Sequence, residues 1–240
     1  MEDKAVFFAP HPDDETLGCG GTIAQKIIQG YEVLVVFLTD GRNALRDIGI
    51  SMPSPSRLKE IRKAEAIRAA KIIGIKQENL FFFEIEDGLL SKNESKALEK
   101  ISEILEVHPR EVYIPQEKEY NVDHRETNRL VKNVIEKLEF FPSEYHYSIA
   151  WRYPLNLIVR FRPKHMRSSI MGKLLHCDVV RTDISASLPL KKAALDAYKS
   201  QTSLISDQQK APLLKETFLK NFLEKEEAFF VPRTVIQKDD

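Results

Sequence analysis

Residues 9 to 21 read APHPDDETLGCGG, which sets one imidazole (His11) and three carboxylates (Asp13, Asp14, Glu15) within five residues, with glycines 18, 20 and 21 behind them. Such a turn has three uses: cradling a nucleotide, holding a metal, or capping a helix. A dinucleotide loop is disfavoured. Asp40 stands about where a ribose-binding acid would fall, but Gly18 and Gly20 are followed by Ile23 where a third glycine is required, and the carboxylates would repel a pyrophosphate. The phosphate loop ending in Gly-Lys-Ser/Thr is absent. A metal fits the residue types better. Catalytic zinc takes three protein ligands from His and carboxylate and keeps a fourth position for water. His11 with Asp13 or Asp14 supplies two, and His124, in the stretch NVDH, can supply a third. A neighbouring carboxylate that does not bind the metal can take the proton of the water. The plainer use, a polar turn capping the next helix, stands beside it on the residues alone.

These residues need strands that end where they begin. KAVFFA and YEVLVVFLT are apolar runs of the kind buried on both faces of a sheet. Residues 17–29 read as a helix closed by Gly30, and NALRDIGISMPSPS as a loop. SRLKEIRKAEAIRAAKIIG is an amphipathic helix, with Ser56 as its cap and Gly74 as its stop. A strand over 80–85, a helix over 92–106, the strand EVYIP, the polar stretch QEKEYNVDHRE and the helix TNRLVKNVIEKLEF follow. This alternation predicts an α/β fold, a Rossmann-like three-layer sandwich around a mainly parallel sheet. One domain spans 1–240, with its core over 1–140. Its C-terminal extension, 141–240, is built from the strands YSIAWRY, LNLIVRF and HCDVVRTDIS and the helix LPLKKAALDAYKSQ. Ligands of such sheets sit beyond the carboxyl ends of the strands near a topological switch point. HPDD follows the first strand and NVDH follows EVYIP, so the two clusters should meet on one rim.

Whole-chain composition narrows the partners. Lys plus Arg and Asp plus Glu both number 36, a net charge of zero, so no global field recruits nucleic acid. Two distant cysteines, Cys19 and Cys177, fit a reducing, cytoplasmic setting. There is no signal peptide pattern, and no run approaches the roughly 20 apolar residues that span a bilayer.

APHPDDETLGCGGTI resembles the signature of the PIG-L/LmbE family of metal-dependent N-deacetylases. The resemblance continues through VLVVFLTDG, SRLKEIRKAEAIRAAKIIGI, EIEDGLL, NVDHRETNRL and KKAALDAYKSQ, over residues 4–202. It implies removal of an acetyl group from an amino sugar of the N-acetylglucosamine type. By position it makes His11, Asp14 and His124 the metal ligands and Asp13 the general base, and it sets Arg57 and Asp87 along the sugar pocket. Zn²⁺ is the simplest metal, and Fe²⁺ suits the same donors. The partner is a small N-acetylated sugar or glycoconjugate; a homo-oligomer is compatible with all of this. Asp123 either orients His124 or His11 from behind or caps the helix after it. Tyr198, Ser200 and Gln201 read as a structural helix end.

One position departs from the family. Many members carry histidine first in the third motif, where this chain has Asn121. An asparagine amide can donate to an oxyanion but cannot shuttle a proton, so Asp13, or a histidine among His146, His165 and His176, must protonate the leaving amine. A second feature bears on substrate. Between Tyr145 and Cys177 there is no acid, while Arg152, Arg160, Arg162, Lys164, Arg167 and Lys173 are interleaved with Trp151, Tyr153 and Phe161. That strip suits a substrate phosphate or peripheral contact with an anionic membrane, or is simply a basic surface.

Overall fold

Alternation along the first strand decides the layers. Ala5, Phe7 and Ala9 of β1 (Lys4–Ala9) enter one apolar cluster, and Val6 and Phe8 enter another on the opposite face. In this computed structural model, which describes residues 3–149 and 177–232, β2 (Glu32–Thr39) divides in the same way. One face is covered by α1 (Asp14–Ile28), α2 (Pro55–Ile73) and α5 (Leu188–Ala197), the other by α3 (Glu94–Leu105) and α4 (Val122–Lys137). Helices on both faces of a parallel sheet make the predicted three-layer sandwich.

Among the described residues the sheet has seven strands. With β3 (Leu80–Ile85), β4 (Glu111–Pro115), β5 (Ser143–Tyr147), β6 (Cys177–Asp183) and β7 (Glu226–Pro232), the order is β3-β2-β1-β4-β5-β7-β6. β1 pairs in parallel with β2 on one side and β4 on the other. The chain therefore runs outward through β2 and β3, then returns to the far side of β1 to lay down β4. That reversal opens a crevice at the carboxyl ends of β1 and β4. β7 runs antiparallel to both β5 and β6.

Several boundaries differ from expectation, each for a local reason. α1 begins at Asp14 rather than Leu17, so the acidic turn is the start of the helix, where carboxylates favour the dipole. α2 is capped by Ser54, not Ser56, because Pro55 takes the first helical position. α4 starts at Val122, five residues before the expected Thr127, because Asn121 caps it by accepting the Asp123 N–H at 2.8 Å. The helix after Leu188 breaks at Tyr198, and α6 (Lys199–Thr202) follows. HCDVVRTDIS contains β6, but β7, whose EEAFFVP was not read as a strand, completes the sheet. LNLIVRF, most of YSIAWRY, the basic strip 151–173, His165 and His176 lie outside the described residues.

Candidate metal and acid–base site

The turn after β1 and the first turn of α4 bring their side chains to one buried point. Asp14 Oδ2 lies 3.1 Å from His11 Nδ1 and 3.1 Å from His124 Nε2, and it also accepts the His11 backbone N–H at 3.0 Å. All three side chains are buried. Two ligands about 2.1 Å from one tetrahedral ion stand about 3.4 Å apart. The ligand atoms of His11, Asp14 and His124 all lie within 4.8 Å of one another, so the donor set fits a small divalent cation. The other ring nitrogen of His124, Nδ1, is buried with no hydrogen-bond partner among the described residues.

The far side of His11 is acidic. Its Nε2 is 3.2 Å from Asp87 Oδ1 and 3.4 Å from Asp123 Oδ2. Asp123 is also tied to the loop that carries Asp87, accepting the Gly88 N–H at 2.7 Å and the Leu90 N–H at 3.4 Å. Asp123 therefore does not cap α4, a role that Asn121 fills. Burial alone would depress the His11 pKa, but hydrogen bonds to Asp123, Asp14 and Asp87 outweigh it and raise it well above the ordinary value. Burial likewise works to raise Asp14, yet the two imidazoles overcome it and hold that carboxyl far below the usual range.

Asp13 has the opposite environment. Burial pushes its carboxyl up to about 8, with Arg62 opposing. Its backbone has φ 123° and ψ −26°, a conformation that costs a non-glycine residue of order 1–3 kcal/mol. The surroundings enforce it. Glu15 accepts the Asp13 N–H at 3.1 Å, the Asp13 carbonyl accepts the Leu17 N–H at 2.8 Å, and Tyr198 Oη anchors Glu15 at 2.5 Å. Arg62 Nη2 sits 3.0 Å from Asp13 Oδ1 and also donates to the Pro12 carbonyl, while Arg62 Nη1 donates to Gly41 O at 3.0 Å.

Not every expected residue converges. Asp87 does, but Arg57 is exposed at the start of α2, its amide on Ser54 Oγ. Arg62, on the buried stripe of that helix with Leu58, Glu65 and Ala66, is the arginine that reaches the cluster. A cation set within an apolar stripe was the signal for it. Asn121 is exposed, and its side-chain oxygen is engaged as the cap. His146 pairs with Glu144 at 3.2 Å on β5. Tyr198 and Ser200 sit at the expected helix end and tie it to the site's support: Tyr198 holds Glu15, and Ser200 Oγ donates to Glu65 at 2.6 Å.

Fold and site together define an α/β chain with a buried His–Asp–His cluster at the switch point of a mainly parallel sheet. The model of the PIG-L family, described as GlcNAc-PI de-N-acetylase, matches residues 6–135, and the chain belongs to that family. A probable N-acetyl-α-D-glucosaminyl L-malate deacetylase of Bacillus cereus is 28% identical over 89% of this chain and 90% of its own length. A diacetylchitobiose deacetylase of Thermococcus kodakarensis is 36% identical, but over only 31% of this chain and 27% of that protein. Among solved structures, N,N′-diacetylchitobiose deacetylase of Pyrococcus horikoshii superimposes with a TM-score of 0.67 at 20% identity, covering 95% of this chain and 83% of the other. GalB of Pseudomonas putida, a 4-carboxy-2-hydroxymuconate hydratase, gives 0.66 at 19% identity, over 97% and 95%. The fold thus carries more than one reaction.

Proposed function

We propose that the chain is a metal-dependent hydrolase that removes the acetyl group of an N-acetylated amino sugar. The observation that carries this reading is the convergence of His11, Asp14 and His124 on one buried point, with the carboxyl of Asp13 held beside it. His11 Nδ1, Asp14 Oδ2 and His124 Nε2 are the atoms that would hold the ion, Zn²⁺ most simply. When bound there, a divalent cation supplies Lewis acidity and makes water a nucleophile near neutral pH.

The remaining work falls to the chain itself. Asp13 takes a proton from the attacking water and passes it to the departing nitrogen as the C–N bond breaks, giving acetate and a primary amine. Arg62 fixes the direction of that carboxyl. Asn121, with its oxygen used as the helix cap, has its amide N–H groups to offer the carbonyl oxygen. Asp123 orients His11 through Nε2. Arg57 and Asp87 are assigned to the sugar, Arg57 from the rim and Asp87 from the wall beside His11. Cys19 and Cys177 are buried thiols, in keeping with a reducing cytoplasmic compartment. No helix among the described residues is long and apolar enough to cross a membrane. The family and the names of the relatives support an N-acetylglucosamine-type substrate.

The test is release of primary amine from a panel of N-acetylated sugars, free, phosphorylated and nucleotide-linked. Chelated protein is compared with protein reloaded with Zn²⁺ or Fe²⁺. Metal-restored release on one class names the substrate. One metal per chain with no release from any sugar would move the reading to another acyl group, and failure to bind metal would end it.

A further inference from the structure

The two imidazoles of the cluster are backed unequally. His11 turns its second nitrogen to two carboxylates, Asp87 at 3.2 Å and Asp123 at 3.4 Å. His124 turns its second nitrogen, Nδ1, into the interior, where it is buried and has no hydrogen-bond partner among the described residues. Facing it at 3.9 Å is Glu119 Oε2, beyond hydrogen-bonding distance. A neutral imidazole that presents a lone pair at Nε2 must carry its proton at Nδ1, and that N–H needs an acceptor once it is buried.

Glu119 is held where such an acceptor belongs. It lies on the loop between β4 and α4, and it is 1% exposed. Its other oxygen, Oε1, accepts the Ile149 N–H at 2.7 Å. Its backbone is clamped from both sides: its N–H donates to Gln116 O at 3.2 Å, and its carbonyl accepts Arg125 Nη1 at 2.7 Å. Arg125 follows His124 directly, so the residue that fixes the loop belongs to the same helical turn as the imidazole. A carboxylate is costly to bury, and this one has an unsatisfied donor nitrogen before it.

We infer that Glu119 is a positioning residue for His124. Its Oε2 accepts a hydrogen bond from Nδ1–H when Nε2 engages a cation, and so fixes the tautomer and ring plane of that ligand. The gap of 3.9 Å closes to a hydrogen bond with about 1 Å of movement. The inference rests on the metal reading proposed above, and it adds a residue that the sequence motif does not mark.

The experiment uses the full chain, stripped of metal and titrated with Zn²⁺ against a chromophoric chelator, for wild type, Glu119→Gln and Glu119→Ala. In Glu119→Gln the amide oxygen can still receive the Ile149 N–H, which leaves an NH₂ facing Nδ1–H, so this variant keeps the fold while opposing the proton. Zinc affinity should fall about 10- to 100-fold in both variants. The imidazole Nδ1–H proton resonance of His124 in the loaded protein should disappear or shift. Thermal unfolding of the metal-free Glu119→Gln protein should stay near wild type. Unchanged zinc affinity in Glu119→Gln, with wild type binding one ion, would overturn the role and leave the metal reading intact. If wild type itself bound no zinc, both would fall. If Glu119→Ala did not fold, Glu119→Gln alone would decide.

Discussion

Asp13 and Asp14 are neighbours in the chain with opposite surroundings. Asp14 points at two imidazoles, which hold it ionised; burial keeps the proton affinity of Asp13 high against the opposing charge of Arg62. Under the proposed function, adjacent carboxyls driven apart in this way would divide the labour of a hydrolytic site into ligand and acid–base group. Replacing Asp13→Asn should leave one metal bound per chain and cut kcat by about 10²- to 10⁴-fold on the N-acetylated sugar of the panel that wild type deacetylates. Metal content and turnover measured on the same sample check this. A variant that kept full turnover would remove Asp13 as the base.

Helix α1 carries half of the site and is seated by contacts distant in sequence. Glu227 of β7 accepts the N–H groups of Gly21 and Thr22 at 2.9 and 2.8 Å and pairs with Lys191 of α5 at 2.6 Å, with both charges out of water. The glycines are small because neighbours press on them: a Cβ on Gly21 would come within 2.6 Å of Ile184, and one on Gly18 within 2.5 Å of the Tyr147 ring. Lys191→Met strands the Glu227 charge and should cost about 3–5 kcal/mol in urea unfolding. Gly21→Ala should cost about 1–3 kcal/mol through overpacking. Loss of less than about 0.5 kcal/mol in Lys191→Met would show that Glu227 does not depend on that cation.

Across the sheet, the cluster joins the carboxyl end of β1 to the helix that follows β4, two segments brought together only because β1 is central. An ion there would tie together two segments far apart in sequence and bind the folded chain alone. At a free Zn²⁺ concentration 100 times its Kd the gain is about 2.7 kcal/mol, a rise in Tm of about 5–10 °C for a chain of this size. Calorimetry with and without chelator reads this directly, and a Tm indifferent to zinc would mean the segments share no ion.

The strand and helix sequence was readable because buried parallel strands are apolar runs and amphipathic helices keep their period. The candidate ligands were legible in two steps: residue types and spacing offered His11 with Asp13 or Asp14 and then His124, and the family resemblance picked out Asp14. Arg62 was hidden behind Arg57: both are arginines of one helix, and only the packed helix shows that Arg62 shares the buried face of Leu58 while Arg57 faces water. The partners of Glu15, Tyr198, Glu119 and Glu227 were equally hidden, because they lie on other elements. Asn121 shows the division within one residue. Its cap on α4 is a local hydrogen bond that sequence pattern could have suggested; the exposure that leaves its amide facing out is a property of the assembled rim. Local propensity and spacing thus determined which elements form and which residues can bind a metal. Tertiary packing decided which carboxylate lies between the two imidazoles, which one is buried against an arginine, and what stands behind each imidazole, because those depend on burial and on charges contributed from elsewhere in the chain.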